Sequence, residues 1–326
     1  MSIRFALASS AVAAVLLTGT AACQSSDHSA SVPRAPKPET VAYPSTVSFP
    51  GSEPTEPTCL GSLRPQGPLP EPGTMPAGST MAGIAERGRL IVAVGPDTYL
   101  ISSRNLENEQ LEGFDVDIAG DLAEAIFGDR NERVEYRQFD LPGRFAAVRS
   151  GEADLLISTT TITCRRREQL EFSTPYYWAG QRVLVNSDSG VAGLDGLAGK
   201  RVCAARGSTS LQKVLATPSG PIPVGVPSVT DCLVKLQLSE VDAVSTDDVL
   251  LAGLAAQDPR TEIVGLPLTE EPYGVAIDPA APDLVRFVNA VLERRVEDGR
   301  WRASYQRWLE TRLGPPPAPP EPQYRD

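Results

Sequence analysis

The sequence predicts an α/β protein of two lobes, each built on a parallel-type sheet, with two crossing segments joining them. Three observations carry this. From residue 89 onward, short apolar runs alternate with helical patterns ten or so residues long. The alternation starts afresh after RVLVN at residues 182–186. PYGVAID, at 272–278, then leads back into a long helical region. Alternation of this kind means βαβ units, whose sheets are covered on both faces by helices.

In chain order, RLIVAVG (89–95) is strand-like. GFDVDIAGDLAEAIFG (113–128) places Ile118, Leu122 and Ile126 at helical spacing and ends on a glycine stop. RVEYRQF is a strand, FAAVRSG a short helix and ADLLIST a strand. The second series runs through KRVCAAR, a helix from Ser208, IPVGV, the helix VTDCLVKLQ, VDAVST, a helix from Asp247, and TEIVGLP. Lobe one is thus expected over 81–181 and 272–313, and lobe two over 182–271. The crossings fall near 180–183 and 271–273. Strand-end loops of both lobes should aim at a shared cleft.

The termini differ in composition. Residues 1–23 hold one early arginine, an apolar run from Phe5 to Leu17, and small residues up to Cys23. That pattern is a secretory signal peptide. Its final TAAC resembles a bacterial lipobox, which would make Cys23 a lipid-modified N-terminus on the outer face of the cytoplasmic membrane. Residues 24–80 form a Pro-rich tether that cannot bury enough apolar surface to offset its ordering entropy. The Pro-rich tail, 314–326, is expected to be a frayed end.

A net charge of −11 argues against nucleic acid as a partner, since phosphate binding needs clustered Lys and Arg. The only histidine, His28, lies in the tether, so no His-based triad or metal cluster is available. No cofactor or metal is expected. Of five cysteines, lipid on Cys23 leaves four (Cys59, Cys164, Cys203 and Cys232), which an exported chain should pair in one of three ways.

One stretch points to an anion. In TTITCRRRE (160–168), Thr163 can cap a short helix CRRREQLEF. A helix start offers free N–H groups, and an arginine there adds a fork suited to a carboxylate. Successive helical residues point about 100° apart, so only one or two of the three arginines can face a cleft.

RLIVAV, GFDVDIA, TTITCRRRE…FSTPYY, KRVCAARGSTS, VDAVSTDD and EPYGVAI, in this order, resemble the polar-amino-acid-binding proteins of ABC importers. With the spaced cysteines and the Pro-rich tail, the pattern is most like actinobacterial glutamine-binding lipoproteins. The resemblance covers Cys59 to the C-terminus. It implies a type II periplasmic-binding-protein-like fold that closes by a hinge on a polar L-amino acid of the glutamate, glutamine, aspartate and asparagine class. Delivery to an ABC permease is the implied output, and reporting to a membrane signalling partner is the alternative. Dehydratases have been built on this fold, but with no histidine outside the tether an enzyme is not expected. By the same resemblance Arg166 clamps the α-carboxylate, Thr161 adds a hydroxyl and the backbone around Thr159 takes part. Ser208 and Thr209 contribute hydroxyls and amides from lobe two, and Asp247 takes the α-ammonium. A plain helix cap is the other reading of Asp247. Hinge closure also implies the pairing Cys59–Cys164 with Cys203–Cys232, which keeps each bond within one lobe and pins the tether to lobe one from about residue 59.

The sequence departs from that pattern in the side-chain pocket. Thr98 and Leu141 stand where glutamine binders have aromatic rings, with Tyr99 as a substitute. Ala205 replaces a lysine and is followed by Arg206, which could pair with a side-chain carboxylate. Gly95 stands in place of an aspartate, and Phe114 is expected in the core.

Overall fold

The computed structural model describes residues 59–95, 98–130 and 132–325. The signal peptide, Cys23 and the tether up to residue 58 lie outside the described residues. Lobe one carries a five-stranded sheet in the order Val134–Gln138, Leu90–Val94, Leu155–Leu156, Ala276–Ile277, Glu171–Phe172. Lobe two carries another, in the order Ile222–Val226, Arg201–Ala205, Ala243–Asp247, Gln181–Asn186, Thr261–Val264. In each sheet the first three strands run parallel and the last two are antiparallel to their neighbours. The sheets are therefore mixed rather than wholly parallel. The reason is connectivity: Ala276–Ile277 re-enters lobe one from the other lobe, and Gln181–Asn186 enters lobe two directly from the crossing.

The strand Leu90–Val94 shows why the continuous apolar run was readable. All five of its residues are buried, as a strand covered on both faces requires. Leu90, Val92 and Val94 pack with Ile118, Leu122 and Ile126 of the helix Phe114–Phe127 and with Leu284 and Val288 of the helix Pro282–Glu297. Ile91 and Ala93 point the other way, toward Val148, Leu170 and Phe172. The long helical region after 278 is two main helices, Pro282–Glu297 and Arg300–Trp308, broken at Gly299, whose φ of 81° is left-handed.

Two crossing strands, Tyr177–Ala179 and Glu271–Tyr273, pair antiparallel between the lobes. The first crossing thus lies just before residue 180, and Gln181 already belongs to the second sheet. The lobes also meet across the cleft. A side chain at Gly253 would come within 2.5 Å of the Tyr99 carbonyl, so glycine permits that approach.

Cys59 is bonded to Cys164 and Cys203 to Cys232, with Cα atoms 5.2 and 5.6 Å apart. The C-terminal tail is not frayed. The Arg325 amide donates to the Ser62 carbonyl (3.1 Å) and the Ser62 amide to the Gln323 carbonyl (2.9 Å). The Tyr324 hydroxyl reaches Glu293 at 2.6 Å, and Arg325 pairs with Glu171 at 2.8 Å. The buried Ser62 hydroxyl in turn donates to the Phe172 carbonyl, so the segment after Cys59 and the tail lie together against lobe one. Backbone pairing holds the tail where proline content alone suggested freedom.

Candidate binding site

A cavity lies between the lobes. Gly95, Thr98, Phe139, Leu141, Arg144, Ser158, Thr159, Thr161 and Arg166 line it from lobe one. Ala205, Ser208, Thr209, Ser210, Thr246, Asp247 and Leu250 line it from lobe two. The turn at Thr163 is local in origin. Thr163 caps the four-residue helix Cys164–Arg167, its hydroxyl accepting from the Arg166 amide at 3.2 Å. That helix is shorter than the sequence pattern suggested. Arg166 turns inward, donating from Nη1 to the Thr161 carbonyl at 2.7 Å. Arg165 is exposed, and Arg167 is tied to the Cys59 carbonyl and, at 3.1 Å, to Glu171.

Ser208 caps the helix Thr209–Leu215 with its hydroxyl, and Thr209 donates to the Glu271 carboxylate at 3.2 Å. Asp247 ends the strand Ala243–Asp247 and occupies the N-cap position of the next helix, yet its side chain makes no capping bond. Instead Oδ2 accepts from the Tyr273 hydroxyl at 2.5 Å and Oδ1 from the Ser210 hydroxyl at 3.4 Å. The carboxylate therefore does not cap the helix; the two hydroxyls hold it at the cavity wall. Burial pushes its pKa well above the usual range, and the neighbouring Glu271 charge adds to the rise.

Tyr99 and Arg206 do not line the cavity. Tyr99 is 45 % exposed and Arg206 is also exposed, so neither substitutes for the absent aromatic or lysine. Sequence reading missed Arg144. It sits in the first turn of the helix Gly143–Arg149, 5 % exposed, where the helix dipole disfavours a cation. That misplacement is the signal that could have found it. Its Nη1 donates to the Ser158 carbonyl (3.0 Å) and hydroxyl (3.2 Å), while Nε is buried with no hydrogen-bond partner among the described residues. A Cβ at position 95 would lie 2.8 Å from the Ser158 hydroxyl, so Gly95 leaves room for this arrangement.

The Arg144 and Arg166 guanidiniums lie 5.3 and 5.4 Å from the centre of the Phe145 ring. Among the described residues neither forms an ion pair within 4 Å. Burial, and then the nearby Arg166 charge, lower Arg144 to about 9, and desolvation lowers Arg166 as well. Both stay cationic at neutral pH. The cleft thus offers two positive groups from lobe one and the Asp247 carboxyl from lobe two.

This geometry suits a small zwitterion, and the sequence profile of the bacterial extracellular solute-binding proteins, family 3, matches residues 90–311. The chain belongs to that family. The ABC transporter glutamine-binding protein GlnH of Bacillus subtilis is 30 % identical over 232 residues, covering 71 % of this chain and 85 % of the relative. The glutamate-binding protein GluB of Corynebacterium efficiens is 30 % identical over 253 residues, 74 % of this chain and 84 % of the relative. Among solved structures, the ancestral amino-acid-binding protein AncCDT-1, a precursor of cyclohexadienyl dehydratase, superposes with a TM-score of 0.64 at 28 % identity. That match covers 71 % of this chain and all of the other. The family is one of binding proteins, and its two-lobed architecture is the one described above. No described helix is long and apolar enough to cross a membrane.

The buried acids predict how the ligand-free solute-binding protein responds to pH. Burial lifts Asp115 and Asp248 each to about 6, above their unfolded value of 3.8. Between those values the folded state holds protons that the unfolded chain has released, so stability falls as pH rises through about 6. Glu124, lowered by its bond to Arg300, acts in the opposite sense and loses stabilisation only at more acidic pH. The melting temperature is expected to rise as pH falls from about 7.5 to about 5, and to drop below about 4. A steady fall in melting temperature from pH 7.5 to 5 would contradict this.

Proposed function

We propose that this solute-binding protein captures an acidic L-amino acid, glutamate or aspartate, and delivers it to an ABC permease. The carrying observation is the pair of guanidiniums, Arg144 and Arg166, without carboxylate partners among the described residues and in one cavity with the Asp247 carboxyl. An acidic amino acid supplies two carboxylates and one ammonium, which matches that set. Arg166 takes the α-carboxylate beside Thr161, with the backbone around Thr159, Ser208 and Thr209 completing the shell, and Asp247 takes the α-ammonium. Arg144 takes the side-chain carboxylate, because a buried guanidinium with an unused donor gains most from an anion. Of the relatives, GluB is named as a glutamate binder, which agrees with an acidic ligand, whereas GlnH is named as a glutamine binder, so the comparison of acid with amide decides. The reading includes export and a lipid anchor at Cys23, which would hold the lobes near an integral membrane partner.

Calorimetry of the purified protein against L-glutamate, L-aspartate, L-glutamine and L-asparagine tests the proposal. An acid should bind more tightly than its amide, by roughly tenfold or more if one charge-assisted bond distinguishes them. In Arg144→Gln that preference should vanish or reverse. Equal or tighter binding of the amides by the unaltered protein would rule out the acidic reading.

A further inference from the structure

The turn that carries the ligand-facing groups contains a strained residue. Thr159 has φ of 40° and, among the described residues, is the one β-branched residue with positive φ. Such a conformation is strained for a β-branched residue and persists only where surrounding groups enforce it. The neighbours of Thr159 are held by groups that also serve other purposes. Arg144 bonds the Ser158 carbonyl, the Gly274 amide donates to the Thr160 carbonyl at 3.0 Å, and Arg166 bonds the Thr161 carbonyl. The Thr159 amide itself is taken by Asp115, at 2.8 Å from Oδ2 and 44 residues away in sequence.

Asp115 lies in the first turn of the helix Phe114–Phe127 and is 1 % exposed. An aspartate there could simply favour the helix start. Its carboxylate faces the ligand turn instead, and Oδ1 is steadied by the Tyr176 hydroxyl at 2.9 Å. Tyr176 is itself 2 % exposed and packs against Phe114 and Tyr273 with ring centres 6.4 and 6.1 Å apart. Tyr273 also donates to Asp247. A carboxylate kept in the core of lobe one, where burial disfavours its charge, is thus spent on one backbone amide at the cavity wall.

We propose that Asp115 is a positioning residue for the ligand: seated by Tyr176, it holds the Thr159 amide and with it the left-handed turn that presents Thr159 and Thr161 to the cavity. The inference rests on the reading of the cavity as an amino-acid site.

The test is a double-mutant cycle read by calorimetry with L-glutamate, alongside thermal unfolding of each variant. Asp115→Ala leaves a buried amide unpaired and frees the strained turn, so affinity should fall by roughly tenfold or more. Thr159→Gly removes the strain, because glycine adopts positive φ without cost. In that background Asp115→Ala should cost less than about threefold, the non-additivity expected of coupled groups. Asp115→Asn can still accept from the Thr159 amide and meet the tyrosine, and should keep most of the affinity. If Asp115→Ala does not fold, Tyr176→Phe replaces it in the cycle, with a smaller loss that Thr159→Gly again removes. Equal losses in both backgrounds would mean that Asp115 serves only the core, and would overturn the proposal. If the unaltered protein binds no amino acid, the reading of the site falls and this inference with it. Full affinity in Asp115→Ala, with binding by the unaltered protein, overturns the inference alone.

Discussion

Arg166→Ala is expected to weaken amino-acid binding by a factor of roughly thirty to several thousand. Removing one partner of a desolvated, hydrogen-bonded charge pair costs about 2–5 kcal/mol, much of it the cost of leaving the other charge unpaired. Under the proposed function Arg166 has this role. Its fork is anchored to the Thr161 carbonyl, and no carboxylate among the described residues lies within ion-pair distance of it. The three consecutive arginines provide an internal control. Arg165 is exposed, so Arg165→Ala should change affinity by less than about threefold. Arg167 bonds the Cys59 carbonyl and Glu171, and Arg167→Ala should lower the melting temperature more than the affinity. Calorimetry on the three variants separates the roles, and comparable losses at all three would refute the assignment of Arg166.

The parts of this site that were legible in the sequence are those whose cause is local. Thr163 before CRRR reads as a cap because a hydroxyl reaching an amide three residues on is a property of the segment alone. Phe114–Phe127 reads as a helix because its apolar spacing and the left-handed Gly128 at its end need no partner to be recognised. The antiparallel return of Ala276–Ile277 was not readable, since a two-residue strand takes its direction from the crossing that delivers it. The same limit hid Arg144, whose partner Ser158 lies 14 residues away, and the bond from Asp115 to Thr159. Tyr99 and Arg206 were chosen by neighbourhood to motif positions. One position of displacement at the end of a strand or loop turns a side chain to the other face, and the structure places both outside the cavity. The tail was misjudged for a related reason. Proline content predicts an extended chain, but not whether another extended segment, here at Ser62, runs alongside to pair with it.

Asp247→Asn should lower affinity without lowering stability, and that contrast distinguishes a ligand group from a cap. The substitution keeps the shape and removes the charge that, under the proposed function, meets the α-ammonium. A hydrogen bond to a charged group contributes about 1.5–3 kcal/mol, so affinity should fall by roughly tenfold to a hundredfold. In the ligand-free protein the same charge is a burden. Asp247 is 4 % exposed, burial lifts its carboxyl well above the usual range, and Glu271 repels its ionised form. A neutral amide can still accept from the Tyr273 hydroxyl, so the free protein should melt at the same temperature or higher. A helix cap predicts the reverse, since losing the charge at a helix start lowers stability and leaves binding untouched. The side chain makes no bond to the amides of its helix, and Asp248 bonds the Val249 amide at 2.8 Å instead. In the unaltered protein, affinity should also decline as the pH is lowered and Asp247 takes up a proton, because a neutral carboxyl no longer attracts the ammonium. Titrations of the unaltered protein and the Asp247→Asn variant at a series of pH values would show this, with the decline much flatter in the variant. Unchanged affinity in Asp247→Asn, together with a lower melting temperature, would return Asp247 to the role of a cap and leave the ammonium to be held elsewhere.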